Sequence, residues 1–89
     1  MTQIELQCLS IADRYANHVS QSNKLKKLGE EVIEFTEAVL VKSKTEMKEE
    51  AGDICFLLLH ILSKNMADEE INFESLVLDA AHKMAIRNQ

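Results

Sequence analysis

The sequence predicts an all-α fold, a four-helix bundle in a single domain that covers residues 1–89. The chain contains no proline and only two glycines, and 46% of its residues are hydrophobic. Apolar residues recur every three or four positions in four separate stretches, as in helices that bury one face. A chain of this size buries a comparatively small fraction of its surface. We therefore expect another subunit to cover part of the apolar surface, so that oligomerisation completes the bundle.

The first two helices are predicted from their apolar spacing and their capping residues. Helix one should cover residues 3–19 behind a Thr2 cap, and helix two should cover residues 24–41 behind an Asn23 cap. The inward positions of helix one are predicted to be Ile4, Cys8, Ile11, Tyr15 and Val19. The core stripe of helix two is predicted to be Leu25, Leu28, Val32, Phe35 and Val39.

The last two helices also have recognisable starts. Ser43-x-x-Glu46 is a capping-box pattern that opens helix three, which should run to about residue 64. Its segment 54–62 is apolar nearly all round and should be the most buried part of the molecule. Asn72 can cap helix four, which continues to the end of the chain. The two cysteines, Cys8 and Cys55, lie among apolar residues without metal-site spacing, so we expect reduced core thiols.

Charge and hydropathy exclude several classes of function. The formal net charge of −5 argues against a general nucleic-acid surface. The longest apolar run is far too short to cross a bilayer, so no membrane partner is expected. The N-terminus has neither a basic region nor an apolar stretch of the kind that directs export. The sequence therefore favours a soluble cytoplasmic protein.

Two acidic clusters are the most informative feature of the chain. Glu30-Glu31-x-x-Glu34 lies in helix two and Glu50-x-x-Asp53 lies in helix three. A spacing of three places two carboxylates about 60° apart and roughly 4.5 Å apart along a helix axis. Two such pairs on neighbouring helices could share a divalent cation, and oxygen ligands favour Mg²⁺ or Mn²⁺. The competing interpretation is a solvated face that carries a weak Lys27–Glu31 ion pair.

The Gly52-Asp53 pair favours the metal interpretation. Both residues have low helix propensity, and glycine alone costs on the order of 1 kcal/mol in a helix interior. A ligand role explains Asp53, and a close helix approach around a metal explains Gly52. His60 lies two turns beyond Asp53 and is better explained as a core or pocket-edge residue than as a ligand. A di-iron centre would need Glu-x-x-His pairs and is disfavoured.

Helix four carries cations at intervals of four residues. Asp79, Lys83 and Arg87 follow one another at this spacing, with Asn88 adjacent. They could form an intrahelical ion-pair ladder near the helix C-terminus. They could equally form a cationic edge that binds phosphate oxygens, and the spacing does not choose between the two.

These residues together resemble the MazG-like family of all-α nucleoside triphosphate pyrophosphohydrolases. The family pattern is E-E-x-x-E, a variable spacer and E-x-x-D. Here it reads Glu30-Glu31-Val32-Ile33-Glu34 and Glu50-Ala51-Gly52-Asp53. The flanking residues 27–29 and 54–58 and the tail 82–88 are also similar to the family pattern. The resemblance covers about residues 24–89.

The resemblance implies an enzyme that cleaves a nucleoside triphosphate between its α- and β-phosphates, releasing a monophosphate and pyrophosphate. It implies Mg²⁺ ligands at Glu31, Glu34, Glu50 and Asp53. It implies phosphate-binding residues at Lys27, Lys83, Arg87 and Asn88. Glu30 would be a further ligand or would orient the attacking water. Family members commonly assemble, so the resemblance predicts a homodimer or a homotetramer.

Three hypotheses for the function remain open at this point. The leading hypothesis is a housecleaning enzyme that removes unwanted deoxynucleoside triphosphates. The main alternative is a non-catalytic helical interaction module whose acidic faces maintain its solubility. The third is a catalytically silent regulator of the same fold that binds a metal or a nucleotide.

Overall fold

A computed structural model describes residues 2–15, 18–66 and 69–88, and the described residues form four α-helices without any strand. The helices are α1 (Gln3–Tyr15), α2 (Gln21–Leu40), α3 (Lys44–Asn65) and α4 (Phe73–Arg87). The predicted all-α fold with four helices is therefore confirmed. Among the described residues, no helix is both long and apolar enough to cross a bilayer.

Three of the four helix starts follow the predicted capping chemistry. The Thr2 hydroxyl accepts a hydrogen bond of 3.1 Å from the Glu5 backbone N–H and donates one of 2.9 Å to the Glu5 carboxylate. Two further caps are formed as predicted. The Ser43 hydroxyl accepts a hydrogen bond of 3.3 Å from the Glu46 backbone N–H, and the side-chain Oδ1 of Asn72 accepts one of 3.2 Å from the Ser75 backbone N–H. These side chains satisfy N–H groups that the first turn leaves without helical partners.

Two predicted helix boundaries were wrong. Helix α2 begins at Gln21, because the Ser20 hydroxyl accepts the Asn23 N–H at 3.2 Å and therefore acts as the N-cap in place of Asn23. Helix α1 is described only to Tyr15, and Val19 lies outside any helix. The part of the predicted first helix at residues 16 and 17 lies outside the described residues.

The core forms where α2 and α1 pack against α3. A connection of three residues joins α2 to α3, so the two helices form an antiparallel hairpin. Among the described residues, the buried apolar ones are Ala12, Ala38, Leu59 and Ile71. His60 is also buried, with 1% of its surface exposed, and its Nε2 lies 3.4 Å from the Nζ of the buried Lys24. Of the segment 54–62, only Leu59 and His60 are fully buried.

Several positions predicted to face the core are exposed. In α1, Ile4 is 72% exposed and Tyr15 is 68% exposed, because this helix meets α3 through Glu5 and Ala12 instead. Ile11 is also exposed. The predicted core stripe of α2 is likewise uncovered at Leu25, Val32 and Val39. Both cysteines are free thiols, but Cys55 is exposed and Cys8 is half-buried, so the prediction of core cysteines was wrong.

Helix α4 stands apart from the other three. None of its residues is buried, and its Cα atoms stay more than 8 Å from those of α1, α2 and α3. The radius of gyration is 14.6 Å, whereas a compact chain of this length has about 12 Å. Within one chain, three helices pack together and the fourth projects from them.

Candidate metal centre

The α2–α3 hairpin brings the two acidic motifs together. Glu31, Glu50 and Asp53 each offer a carboxylate oxygen, and these oxygens lie within 4.8 Å of one another. The register of the hairpin explains this arrangement. Lys24 of α2 lies beside His60 of α3. Seven residues later in α2 and seven residues earlier in α3, Glu31 lies beside Asp53. Residues seven apart return to the same helix face, so one antiparallel seam holds both pairs.

Two carboxylate oxygens of this cluster are buried without a partner. Glu31 is buried, and its Oε1 accepts an ion-pair contact of 2.8 Å from the Nζ of Lys27. The Oε2 atoms of Glu31 and of Glu50 are inaccessible to solvent, and no donor among the described residues forms a hydrogen bond with them. Buried carboxylate oxygens are costly unless they are paired, protonated or bound to a cation.

Proton affinities in the cluster reflect this crowding. The neighbouring Glu31 carboxylate, with burial and Glu34 as lesser causes, raises the pKa of Glu50 to about 8. Burial, followed by the charge of Glu31, raises the pKa of Asp53 above its ordinary value. The adjacent Glu50 carboxyl group, followed by Lys27, lowers the pKa of Glu31. Without a cation, the protein relieves the repulsion by keeping a proton on Glu50.

The two remaining glutamates of the first motif occupy different places. Glu34 is exposed, yet it contributes to the raised pKa of both Glu50 and Asp53, so it lies at the edge of the cluster. Glu30 is exposed and acts through its charge on Lys27. The structure thus gathers Glu31, Glu50 and Asp53, places Glu34 beside them and leaves Glu30 outside.

The cluster has the chemistry of a divalent-cation site. Carboxylate oxygens are the ligands that Mg²⁺ and Mn²⁺ prefer. The buried, unpartnered oxygens of Glu31 and Glu50 are the groups that a bound cation would satisfy. A shallow cavity of about 260 Å³ opens beside them and is lined by Lys27, Glu31, Asp53 and Leu57. Leu57 was not singled out from the sequence, although it follows Asp53 by one turn.

Gly52 does not have the role that the sequence suggested. A Cβ added at this position would meet no atom of the described residues within 4 Å, so none of the other three described helices approaches closely here. The explanation of Gly52 by close helix packing around a metal is therefore wrong within one chain. Gly52 instead lines a groove of about 220 Å³ between α1 and α3, together with residues that include Cys8, Phe56 and Phe73.

The predicted phosphate-binding residues of α4 do not lie beside the cluster. Lys83 and Arg87 are exposed on a helix that packs against neither α2 nor α3. Among the described residues they form no ion pair within 4 Å, so the proposed ladder from Asp79 is not formed. The Asn88 side-chain amide donates a hydrogen bond of 2.8 Å to the Met84 carbonyl and so caps the end of α4. Lys27 is the one predicted phosphate ligand that contacts the cluster.

The fold and the site together describe an all-α protein in which a helical hairpin brings the carboxylates of two acidic motifs together at a candidate cation site. The sequence profile of the MazG nucleotide pyrophosphohydrolase domain matches residues 19–89. The chain therefore belongs to the MazG nucleotide pyrophosphohydrolase domain family, which confirms the resemblance seen in the sequence. No curated protein and no solved structure matches the chain.

Proposed function

We propose that this chain is a Mg²⁺-dependent hydrolase that cleaves nucleoside or deoxynucleoside triphosphates between the α- and β-phosphates. Family membership supports nucleotide pyrophosphohydrolase activity in general. The observation that carries the proposal is the cluster of Glu31, Glu50 and Asp53, whose oxygens lie within 4.8 Å. Two of its oxygens are buried and unpartnered, which is an arrangement that stability alone does not favour.

Four carboxylates would hold the cation: Glu31, Glu34, Glu50 and Asp53. When bound, Mg²⁺ would supply charge neutralisation at the phosphate oxygens and lower the pKa of a coordinated water. Their combined formal charge of about −4 balances the +4 of two divalent cations, so the site need not repel a triphosphate. Mn²⁺ has similar ligand preferences and should substitute.

The remaining roles fall to the side chains that surround this cluster. Lys27 keeps Glu31 ionised through their contact of 2.8 Å, and its ammonium group can also donate to a phosphate oxygen. Glu30 lies outside the cluster and is proposed to orient the attacking water. Lys83, Arg87 and Asn88 are proposed to bind phosphate oxygens. The enzyme is further proposed to act as a homodimer or homotetramer that removes unwanted deoxynucleotides.

The test is an incubation of the purified protein with a panel of ribo- and deoxyribonucleoside triphosphates, with Mg²⁺ or with chelator. Chromatography separates monophosphate plus pyrophosphate from diphosphate plus phosphate. We expect monophosphate and pyrophosphate in the presence of Mg²⁺ only. Diphosphate plus phosphate as products would contradict cleavage between the α- and β-phosphates. The absence of any Mg²⁺-dependent product from every substrate would refute the enzymatic function.

A pair of variants separates the cluster from general surface charge. Glu50→Gln removes a proposed ligand, whereas Glu49→Gln removes an exposed neighbour of the same charge. We expect Glu50→Gln to lower kcat at least about 100-fold and to weaken Mg²⁺ binding measured by calorimetry. Glu49→Gln should leave both unchanged. Equal effects of the two variants would contradict the proposed site.

A further inference from the structure

A buried pair of basic side chains joins α2 to α3 beyond the acidic cluster. Lys24 is 7% exposed and His60 is 1% exposed, and the Nζ of Lys24 lies 3.4 Å from the Nε2 of His60. A buried lysine normally pairs with a carboxylate. Among the described residues, Lys24 forms no ion pair, so the imidazole ring is its one side-chain partner. Neither residue has a part in the proposed cation binding or hydrolysis.

The contact requires a neutral imidazole ring. A lysine ammonium group has three N–H donors and no acceptor, so the Nε2 of His60 must accept and the ring proton lies on Nδ1. A proton added at Nε2 converts the ring to an imidazolium ion, in which both nitrogens are donors. Two cations without an acceptor between them would then face each other at 3.4 Å in a buried seam. Protonation of His60 therefore turns this attraction into repulsion.

The charged groups around His60 strengthen this effect. Lys24 acts on it from α2, Lys64 from α3 itself and Asp13 from α1. Burial, followed by the two lysines, lowers the pKa of His60, whereas Asp13 opposes the shift. Asp13 is already paired, because its Oδ1 accepts a contact of 3.1 Å from the Nζ of Lys64. In the described part of the chain, α4 adds no charged group to these causes. The proton on His60 is thus disfavoured while the helices are packed and favoured once they separate.

The hairpin geometry links this contact to the acidic cluster. The connection of three residues holds α2 and α3 together at one end of the hairpin, and the Lys24–His60 contact lies towards the open end. Glu31 and Asp53 lie between the two, seven residues from that contact in each helix. Each helix supplies only part of the carboxylates. Parting of the helices at the open end therefore draws Glu31 away from Asp53, and a cation that needs both loses ligands.

We propose that the Lys24–His60 contact is an acid-sensitive switch for the cation site. A proton taken from solvent at the Nε2 of His60 parts the open end of the hairpin, separates Glu31 from Asp53 and releases the cation. The proposal rests on the proposed function, because hydrolysis depends on that cation. The linkage works in both directions, so a bound cation holds the hairpin closed and makes protonation of His60 less favourable. The enzyme is then active in neutral solution and loses its cation in mild acid.

Calorimetric titration with Mg²⁺ tests the switch at about pH 7.5 and about pH 5.5, on either side of the ordinary histidine pKa of 6.5. His60→Gln keeps an acceptor for Lys24 and cannot be protonated, and His82→Gln changes an exposed histidine of α4. Protonation of the carboxylates weakens binding in acid in all three proteins. The wild type and His82→Gln should lose at least about fivefold more affinity than His60→Gln between the two pH values.

A measurement on the metal-free protein tests the opening itself. Hydrogen exchange of the backbone amides in residues 24–31 and 53–60 is followed in chelator, with Glu50→Gln as the background so that the proton on Glu50 does not offset the effect. After correction for the intrinsic pH dependence of exchange, protection should fall by up to about tenfold between about pH 7.5 and about pH 5.5. The double variant Glu50→Gln/His60→Gln should show no such fall.

Lys24→Met provides a second variant in case His60→Gln does not fold. It replaces the opposing cation by an apolar side chain of similar length, so its Mg²⁺ affinity should depend less on pH than that of the wild type. Equal pH dependence of Mg²⁺ affinity in the wild type and in either variant would overturn the switch. Amide protection that does not change with pH in the Glu50→Gln background would also overturn it.

The same measurements separate the switch from the proposed function. A wild type that binds Mg²⁺ but hydrolyses no triphosphate contradicts the proposed function alone, since binding still decides the switch. A wild type that binds no Mg²⁺ at about pH 7.5 contradicts both proposals. Activity that falls in acid in parallel with Mg²⁺ affinity, and that falls less in His60→Gln, supports both.

Discussion

At the scale of single residues, the proton on Glu50 links the acidic cluster to the stability of the metal-free protein. The adjacent Glu31 carboxylate raises the pKa of Glu50 from 4.5 in an ordinary glutamate to about 8. Between these values the folded state holds more protons than the unfolded state, so the free energy of unfolding falls as the pH rises. We expect melting temperatures in chelator to fall between pH 5 and pH 8.

Glu50→Gln should remove most of this decline, since the amide does not ionise, and Glu49→Gln should retain it. Added Mg²⁺ should restore the melting temperature of the wild type at pH 8 and leave that of Glu50→Gln nearly unchanged. A wild-type stability that rises steadily across this pH range would contradict the assigned proton on Glu50.

His60 should produce the opposite pH dependence at the other end of the same helix seam. Burial, followed by the charges of Lys24 and Lys64, lowers the pKa of His60, and Asp13 opposes this in part. The unfolded state then binds the proton more readily, so stability is lost as the pH falls below 6.5, the ordinary histidine value. Melting curves of Glu50→Gln, in which the Glu50 effect is absent, should show a decline from pH 7 to pH 5.

His60→Gln in the same background should flatten this decline, and His82→Gln, a change at an exposed histidine of α4, should not. An unchanged slope in the His60 variant would show that the buried Lys24–His60 contact carries no protonation cost. The sequence predicted a core or pocket-edge position for His60, but its partner Lys24 could not be foreseen. Lysine is rarely buried, and only the hairpin register places these two side chains together.

Gly52 offers a test of what surrounds α3 in the assembled protein. In the part of the chain that the structure describes, no neighbouring atom lies within 4 Å of a Cβ added at Gly52 or at Gly29. Replacing each by alanine should therefore stabilise the isolated chain by about 1 kcal/mol through helix propensity alone. Urea unfolding measures both changes. If Gly52→Ala destabilises the protein while Gly29→Ala stabilises it, a second chain approaches Gly52, and the close-packing explanation holds between chains.

At the scale of helices, the capping side chains determine where each element begins and therefore which residues face each other. Ser20 accepts the Asn23 N–H at 3.2 Å and so starts α2. Ser20→Ala should lower the free energy of unfolding by about 1 kcal/mol. Ser22→Ala changes an exposed serine within the first turn of α2 and should have an effect below about 0.5 kcal/mol. Thermal or urea unfolding of both variants checks the difference, and equal losses would exclude Ser20 as the cap.

The helices themselves could be predicted from local patterns, whereas the faces they bury could not. Caps at Thr2, Ser43 and Asn72 depend on hydrogen bonds within four residues, and these follow directly from the sequence. Ile4 and Tyr15 are exposed, because among the described helices α1 packs against α3 alone, and the sequence does not predict which helices pack together. The acidic motifs could be predicted, because their spacing places the carboxylates of each motif on one face of a helix. The difference between the pKa values of Glu31 and Glu50 could not, because it depends on how the two helices pack.

At the scale of the whole molecule, the exposed apolar surface connects stability to protein concentration. Predicted core residues such as Val32 and Val39 are uncovered in one chain at 47% and 44% exposure. If a second copy covers them, folding and association are linked, and the melting temperature must rise with protein concentration. Scanning calorimetry between about 5 and 200 μM should show an increase of several degrees. Val77→Glu, which places a charge on the exposed apolar side of α4, should lower the melting temperature and abolish its concentration dependence, and Ser75→Glu, at an exposed serine of the same helix, should preserve it. A melting temperature independent of concentration in the wild type, together with a monomeric mass, would mean that the chain tolerates its uncovered apolar surface without a second copy.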